Sequence, residues 1–196
     1  MRHKHKQSFL LLILSICAGQ AVAHTGFHPV EGFASGFVHP LLGADHLAAM
    51  VCVGVWAALV TTEPGRLWRL PAAFMAAMVL GGALGAFGVV IAGAEPAIAA
   101  SVLALGLLLL GKVRLSGVLA GMIVGLFAVA HGYAHGLEMA QGAAFSAYAA
   151  GFVIATGLLH LLGIVLGRCL LRVPGMYRVA GGAASVFGVA LLVQAW

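Results

Sequence analysis

Long apolar stretches separated by short polar breaks make up most of the chain beyond its first thirty residues. A helix needs about 20 apolar residues to cross the hydrocarbon core of a bilayer. On this criterion the pattern predicts an all-α membrane protein with six transmembrane helices, of which the third is the shortest. The predicted spans are 33 or 40 to 60, 71–92, 96–111, 115–133, 143–167 and 179–195.

The first 23 residues have the pattern of a secretory signal peptide. A basic start precedes a short apolar run, 9–16, and Ala21-Val22-Ala23 supplies a small-x-small cleavage pattern. The run is too short for an ordinary transmembrane helix. We therefore expect a cleaved signal over 1–23 and a six-helix transmembrane permease domain over 24–196, although charge alone does not separate the cleaved from the uncleaved version.

Composition and charge support a membrane protein and indicate its orientation. With 63% hydrophobic and 8% charged residues, the chain has too little polar surface for a soluble globule. The formal charge of +5 forms no basic patch interleaved with aromatic residues, which argues against a nucleic-acid partner. If the mature N-terminus is exported, every Lys and Arg of the mature chain falls in a cytoplasmic loop, as the positive-inside rule requires. These residues are Arg66, Arg69, Lys112, Arg114, Arg168, Arg172 and Arg178.

This orientation predicts a multi-pass protein of the bacterial inner membrane with both mature termini in the periplasm. Spans one to three and four to six would then run in opposite directions. Inverted halves of this kind, with a binding site at their interface, are common in transporters. Sequence similarity between the two halves is not visible. The hypothesis rests on the odd number of spans in each half, which reverses the direction of the second half, and on the placement of one polar motif in the first span of each half.

The first motif places His39, Asp45 and His46 inside an otherwise apolar stretch. An ionised Asp at a bilayer centre costs about 2.5–3.5 kcal/mol on insertion scales, so such residues usually face a cavity and have a function. Pro40 is predicted at the first position of the buried helix, and Gly43 is expected to leave room for an ion or a neighbouring backbone. Asp45 could ligate a metal directly or accept the second ring N–H of a neighbouring imidazole.

The second motif places His131, His135 and Glu138 on one face of a helix, at positions i, i+4 and i+7. Two histidines four residues apart on a helix can chelate one metal ion. Gly132 stands where a zinc protease would carry its glutamate, so no general base is available for that chemistry. Imidazole and carboxylate ligands suit nickel, cobalt, zinc, copper or iron.

Three further histidines are weaker candidates as metal ligands. His24 would begin the mature chain, offering an amine and an imidazole, and His28 lies close by in sequence, although both could belong to a solvated tail. His160 lies deep in the fifth span. It could be a ligand on the exit side or simply a packed, hydrogen-bonded residue.

Glycines four residues apart predict close contacts between helices. In lipid, small residues at this spacing allow two helix backbones to approach each other. The spacing occurs at Gly81 and Gly85, and again at Gly117, Gly121 and Gly125. We expect tight packing at most of these positions.

Both motifs resemble those of a known family. The run His39-Pro40-x-x-Gly43-x-Asp45-His46 resembles the signature of the HupE/UreJ family, and His131-Gly-x-Ala-His135-Gly-x-Glu138 is similar to its second block. The resemblance extends over essentially the whole chain. It implies a nickel or cobalt permease associated with the maturation of hydrogenase or urease. It also implies that the six polar residues of the two motifs handle the metal: His39, Asp45, His46, His131, His135 and Glu138.

The sequence therefore predicts a secondary permease for uptake of Ni²⁺ or Co²⁺, and not an enzyme. No Walker A motif is present for direct use of ATP, and no convincing pair of nucleophile and base is found. The expected partners are the metal ion and the lipid bilayer, with no permanently bound cofactor. The alternative is a membrane electron carrier with haem on paired histidines, for which Asp45 and Glu138 would have no purpose. The choice of metal and the oligomeric state stay open.

Overall fold

The computed structural model describes residues 32–138 and 145–195, and within these ranges the chain forms helices and no β-strand. The predicted signal peptide, His24 and His28 lie outside the described residues, and so does the side chain of Glu138. The helices are α1 (Gly32–Leu42), α2 (Ala44–Val60), α3 (Pro64–Leu67), α4 (Arg69–Ala86), α5 (Ala94–Leu110), α6 (Gly117–Glu138), α7 (Phe145–Leu171) and α8 (Met176–Gln194).

Four to five stretches of the described chain could cross a membrane. Four are long and apolar enough on their own: Pro64–Ala86, Gly117–Leu137, Phe145–Leu171 and Met176–Gln194. Helices α1 and α2 make a fifth if they are counted as one bent span. Helix α5 is apolar but has only 17 residues, which corresponds to about 25 Å. The described part of the chain is therefore all-helical and has the character of a multi-pass membrane protein, and length supports four or five of the six predicted spans.

The first predicted span is broken into two helices. Pro40 does not begin the buried helix, as the sequence predicts, but lies inside α1, three residues before the break. The break falls at Gly43, whose ψ of 116° is extended rather than helical. The axes of α1 and α2 differ by 81°. Across the corner, the ring of His39, near the end of α1, lies 6.1 Å from that of His46, near the start of α2, measured between centroids.

Helix α2 is the centre of the bundle. Met50, Val53 and Trp56 are all fully buried along it. The indole N–H of Trp56 donates a hydrogen bond to the carbonyl oxygen of Val113, 2.9 Å away in the loop after α5. Apolar packing and this hydrogen bond thus hold the C-terminal part of α2 in place, while the N-terminal end of α2 carries the polar motif.

Close helix packing confirms one of the two glycine predictions. A Cβ atom at Gly81 or Gly85 of α4 would clash with backbone atoms of α6, and one at Gly132 of α6 would clash with the carbonyl group of Met78. Because these glycines lack a side chain, the backbones of α4 and α6 touch directly. Each histidine of the second motif is followed by such a glycine, so the glycines face α4 while the histidines face the core.

The other glycine prediction is wrong within the described chain. A Cβ atom added at Gly117 or Gly121 would have no neighbouring atom within 4 Å, and one at Gly125 would meet only the Cβ of Ala77, at 3.8 Å. The sequence spacing is the same as at Gly81 and Gly85, but this stripe faces away from the other helices. Spacing alone does not show which face of a helix is packed.

Candidate metal site

Four histidine side chains from the two motifs meet between the corner of α1 and α2 and the C-terminal half of α6. They form what we call the histidine cluster: His39, His46, His131 and His135. The ring of His46 lies 4.3 Å from that of His135 and 5.2 Å from that of His131, measured between centroids. The ring of His39 lies 4.5 Å from that of His135. His46, His131 and His135 are buried, and His39 is half-buried.

Asp45 holds the ring of His46 in one orientation. Its Oδ1 accepts a hydrogen bond from Nδ1 of His46 at 2.7 Å and another from the backbone N–H of the same residue at 2.9 Å. Because a carboxylate can only accept, Nδ1 carries the proton and Nε2 keeps its lone pair. In metal sites this carboxylate–imidazole arrangement fixes the tautomer and makes the free nitrogen a better ligand. Of the two roles predicted for Asp45, the structure shows this one.

A backbone carbonyl fixes the tautomer of His131. Nδ1 of His131 donates to the carbonyl oxygen of Phe127, one turn earlier on α6, at 2.9 Å. A carbonyl only accepts, so Nε2 again keeps its lone pair. This Nε2 is buried and has no hydrogen-bond partner in the described structure. A buried polar atom without a partner is rare, and a water or ion often explains it.

The rings of His46 and His135 point at each other. Their Nε2 atoms are 2.5 Å apart. Since Nε2 of His46 is an acceptor, Nε2 of His135 donates in this arrangement. Imidazole nitrogens bind a transition metal such as zinc at about 2.0–2.1 Å. For both atoms to bind a shared ion, the two rings would have to rotate apart and the proton on Nε2 of His135 would have to leave that nitrogen.

The cluster does not form a complete set of ligands as it stands. In the described part of the chain, no three His, Cys, Asp or Glu side chains are placed so that they could hold one metal ion. The structure therefore brings His39, Asp45, His46, His131 and His135 together without arranging them as ligands. His24, His28 and the side chain of Glu138 lie outside the described part of the chain.

Two aromatic residues of α7 that the sequence analysis did not identify close one side of the cluster. The ring of Phe152 lies 4.6 Å from that of His135, and the ring of Tyr148 lies 6.3 Å from that of His39. Tyr148 and Phe152 are one turn apart on the helix. Because aromatic residues at this spacing usually belong to the apolar core, the sequence gives only a weak signal that they border a site. Beside His135 they line a small cavity of about 30 Å³, enough for a water molecule or a bare ion.

His160 lies apart from the cluster, in the middle of α7. Its ring packs against Phe74 of α4, with 5.2 Å between the centroids. The ring of Phe74 also lies near that of His131, with 5.8 Å between the centroids. The ring of Phe74 therefore contacts both His160 and a member of the cluster. Phe74 is the one aromatic residue of α4, and nothing in the sequence marks it as part of a site.

Comparison with known proteins identifies the family. The family described as HupE / UreJ protein matches residues 11–191. The chain belongs to the HupE/UreJ family. It is also similar to Protein HupE of Rhizobium leguminosarum bv. viciae, with 42% identity over 175 residues, which cover 88% of this chain and 90% of that protein. No solved structure matches the chain.

Membership in the HupE/UreJ family supports the general character predicted from the sequence. HupE/UreJ proteins are membrane accessory and transport proteins rather than enzymes, and they are associated with nickel or cobalt uptake for hydrogenase and urease. Both motifs, and every member of the histidine cluster, lie inside the matched range. The match does not by itself assign a substrate to this chain.

Proposed function

We propose that this protein is a secondary permease that takes up Ni²⁺ or Co²⁺ across the inner membrane and so supplies the maturation of a hydrogenase or urease. The ion would bind at the histidine cluster, with His39, Asp45, His46, His131, His135 and Glu138 as the residues that handle it. His24 and His28 would collect ions at the start of the mature chain.

The observation that carries the proposal is the pair of fixed imidazole lone pairs in an apolar bundle. Asp45 fixes the tautomer of His46, and the carbonyl of Phe127 fixes that of His131. Nitrogen and oxygen ligands of this kind suit divalent nickel and cobalt. No thiolate is close enough to complete a tight trap among the described residues, and a transporter needs a site that also releases its ion.

Transport by this route needs no nucleotide. The membrane potential supplies about 2.3 kcal/mol per elementary charge per 100 mV, and twice that for a divalent cation moving inwards. The proposed topology has a cleaved signal, six spans and both mature termini in the periplasm. Its support is that every Lys and Arg of the mature chain lies in or next to the connections that follow the first, third and fifth predicted spans.

The haem alternative does not fit the geometry. Haem ligated by two histidines needs a flat porphyrin between their rings. The Nε2 atoms of His46 and His135 face each other directly, so a porphyrin would have to force the two rings well apart, and the cavity of about 30 Å³ beside them has no room for such a ring. We therefore do not propose an electron carrier.

Uptake of radiolabelled nickel and cobalt by cells that produce His46→Ala tests the proposal. We expect at least about a tenfold loss of uptake, because losing even the hydrogen-bond partner of a metal ligand costs about 10–100-fold. Ser185→Ala is the control, since Ser185 is buried in α8 and bonded only to the carbonyl of Gly181. Undiminished uptake of both metals by His46→Ala would refute the site, and a wild type without uptake would refute the function.

A further inference from the structure

A second pair of buried polar side chains lies on α7, away from the histidine cluster. Thr156 and His160 are one turn apart, and both are completely buried. Oγ1 of Thr156 and both ring nitrogens of His160 have no hydrogen-bond partner in the described structure. The carbonyl of Thr156 lies near the His160 ring, but it does not make a hydrogen bond of ordinary geometry with it.

Elsewhere in the bundle, buried hydroxyl groups are satisfied. Oγ of Ser101 donates to the carbonyl of Ile98 at 2.6 Å, and Oγ of Ser185 donates to the carbonyl of Gly181 at 2.8 Å. A helix can therefore satisfy a lone buried hydroxyl from its own backbone. The hydroxyl group of Thr156 makes no such bond, and both ring nitrogens of the neighbouring His160 also have no hydrogen-bond partner in the described structure. Such groups cost free energy unless something else binds them.

The position of this pair relative to the cluster suggests what binds there. The rings of His131, Phe74 and His160 follow one another, at 5.8 Å and 5.2 Å between centroids. Nε2 of His131 also has no hydrogen-bond partner in the described structure. The ring of Phe74, which offers no ligand, therefore contacts two histidines that each have an unpartnered ring nitrogen.

The backbone around His160 is held firmly. A Cβ atom at Gly54 of α2 would clash with the carbonyl group of His160, and Gly163, one turn later, meets the backbone of α2 in the same way. Helices α2 and α7 are therefore in direct backbone contact at this level. The backbone position of His160 is set by this packing.

We propose that His160 and Thr156 form a second station for the divalent metal ion, separated from the histidine cluster by Phe74. The ring nitrogen of His160 and the hydroxyl oxygen of Thr156 supply two ligands, a small set that suits brief occupation rather than storage. The ion reaches this station when the ring of Phe74 turns aside. The inference rests on the proposed function, because it describes the next step of the same passage.

His160→Leu is the decisive variant. Leucine fills a similar volume without polar atoms, so a merely packed His160 predicts unchanged uptake and equal or higher thermal stability. The second station predicts at least about a tenfold loss of ⁶³Ni²⁺ uptake. Nickel binding at the histidine cluster, measured by equilibrium dialysis of the purified full-length protein, should stay within about twofold of the wild type. Uptake within twofold of the wild type would overturn the proposal.

Thr156→Val supplies an independent variant in case His160→Leu does not accumulate in the membrane. The exchange is nearly isosteric and removes only the hydroxyl. We expect a loss of uptake of about fivefold, the size of one lost polar interaction. Ser101→Ala is the matched control because its hydroxyl is buried but already bonded. Equal uptake by Thr156→Val and Ser101→Ala would count against the station.

Failure of the proposed function can be told apart from failure of this inference. If the wild type takes up nickel and His160→Leu does so equally well, only the second station is refuted. If the wild type takes up neither metal, the proposed function has failed. Purified His46→Ala then tests the second station directly. Residual Ni²⁺ binding by this variant that disappears when His160→Leu is added supports the station. If His46→Ala binds no Ni²⁺, or if adding His160→Leu leaves the binding unchanged, the station is overturned.

Discussion

The two motifs deliver their histidines to one place by different structural means. In the first, an extended residue at Gly43 breaks the helix, and the chain turns through 81° so that His39 and His46 approach from two helices. In the second, α6 runs unbroken, and His131 and His135 lie one turn apart on it. One motif depends on a corner, and the other depends on how closely a straight helix packs.

The same contrast applies to the control of the tautomers. His46 depends on a side chain, Asp45, which a single substitution can remove. His131 depends on the backbone carbonyl of Phe127, which no substitution removes. The first motif should therefore be sensitive to changes in its polar residues. The second should be sensitive to changes that move the whole helix.

The largest effect is expected when α6 is moved. In Gly132→Ala, the added Cβ would strike the carbonyl group of Met78, so α6 must shift and carry His131 and His135 with it. We expect a loss of nickel uptake of about 100-fold, the scale by which a 1 Å misplacement lowers the rate of an enzyme. Thermal unfolding of the purified protein should also show a loss of about 1–3 kcal/mol, as for overpacked cores.

Gly121→Ala is the matched control for this prediction. It is the same exchange on the same helix, but a Cβ there meets nothing within 4 Å. Uptake should stay at the wild-type level, and the free energy of unfolding should not fall, because alanine is the better helix former. Equal behaviour of the two variants would show that close packing of α4 and α6 does not place the histidines.

The glycines also show what the sequence could and could not predict. Their spacing correctly indicated close packing at Gly81 and Gly85 but wrongly indicated it at Gly117 and Gly121. Which face of a helix meets a neighbour is decided by tertiary packing, which local spacing does not encode. The helical class and the two motifs were predictable because polar residues are costly in apolar spans.

The geometry of the site was less predictable than its residues. The corner at Gly43 is not evident from the sequence because Pro40, three residues earlier, is a common first residue of a helix and predicts the start of the span instead. Phe74 and Phe152 are not evident either, because an aromatic ring in an apolar span carries no signal of its own. Only their distances to histidine rings reveal them.

An intermediate effect is expected when the acceptor of His46 is changed. Asp45→Asn keeps a side-chain oxygen but removes the charge, and either tautomer of His46 can then satisfy the amide. We expect the concentration of nickel required for half-maximal uptake to rise about 10–100-fold. Glu63→Gln is the control, since Glu63 forms only an exposed pair with Arg66, and such pairs contribute little. If Asp45→Asn required the same nickel concentration for half-maximal uptake as the wild type, the tautomer of His46 would not matter for transport.

The smallest effect is expected at the corner itself, where two substitutions separate the two residues that could cause the break. Gly43→Ala places a Cβ 2.8 Å from Nδ1 of His46 and 3.0 Å from Oδ1 of Asp45. The extended backbone of Gly43 is open to alanine, so the change presses on this pair without forbidding the turn. We expect about a threefold to fivefold loss of uptake, which corresponds to weakening one hydrogen bond by about 1 kcal/mol.

Pro40→Ala restores a backbone N–H to α1 and adds no atom near the pair formed by Asp45 and His46, so uptake should change by less than about twofold. A larger loss in Pro40→Ala than in Gly43→Ala would show that the proline, and not the room beside Gly43, sets the corner between the two helices.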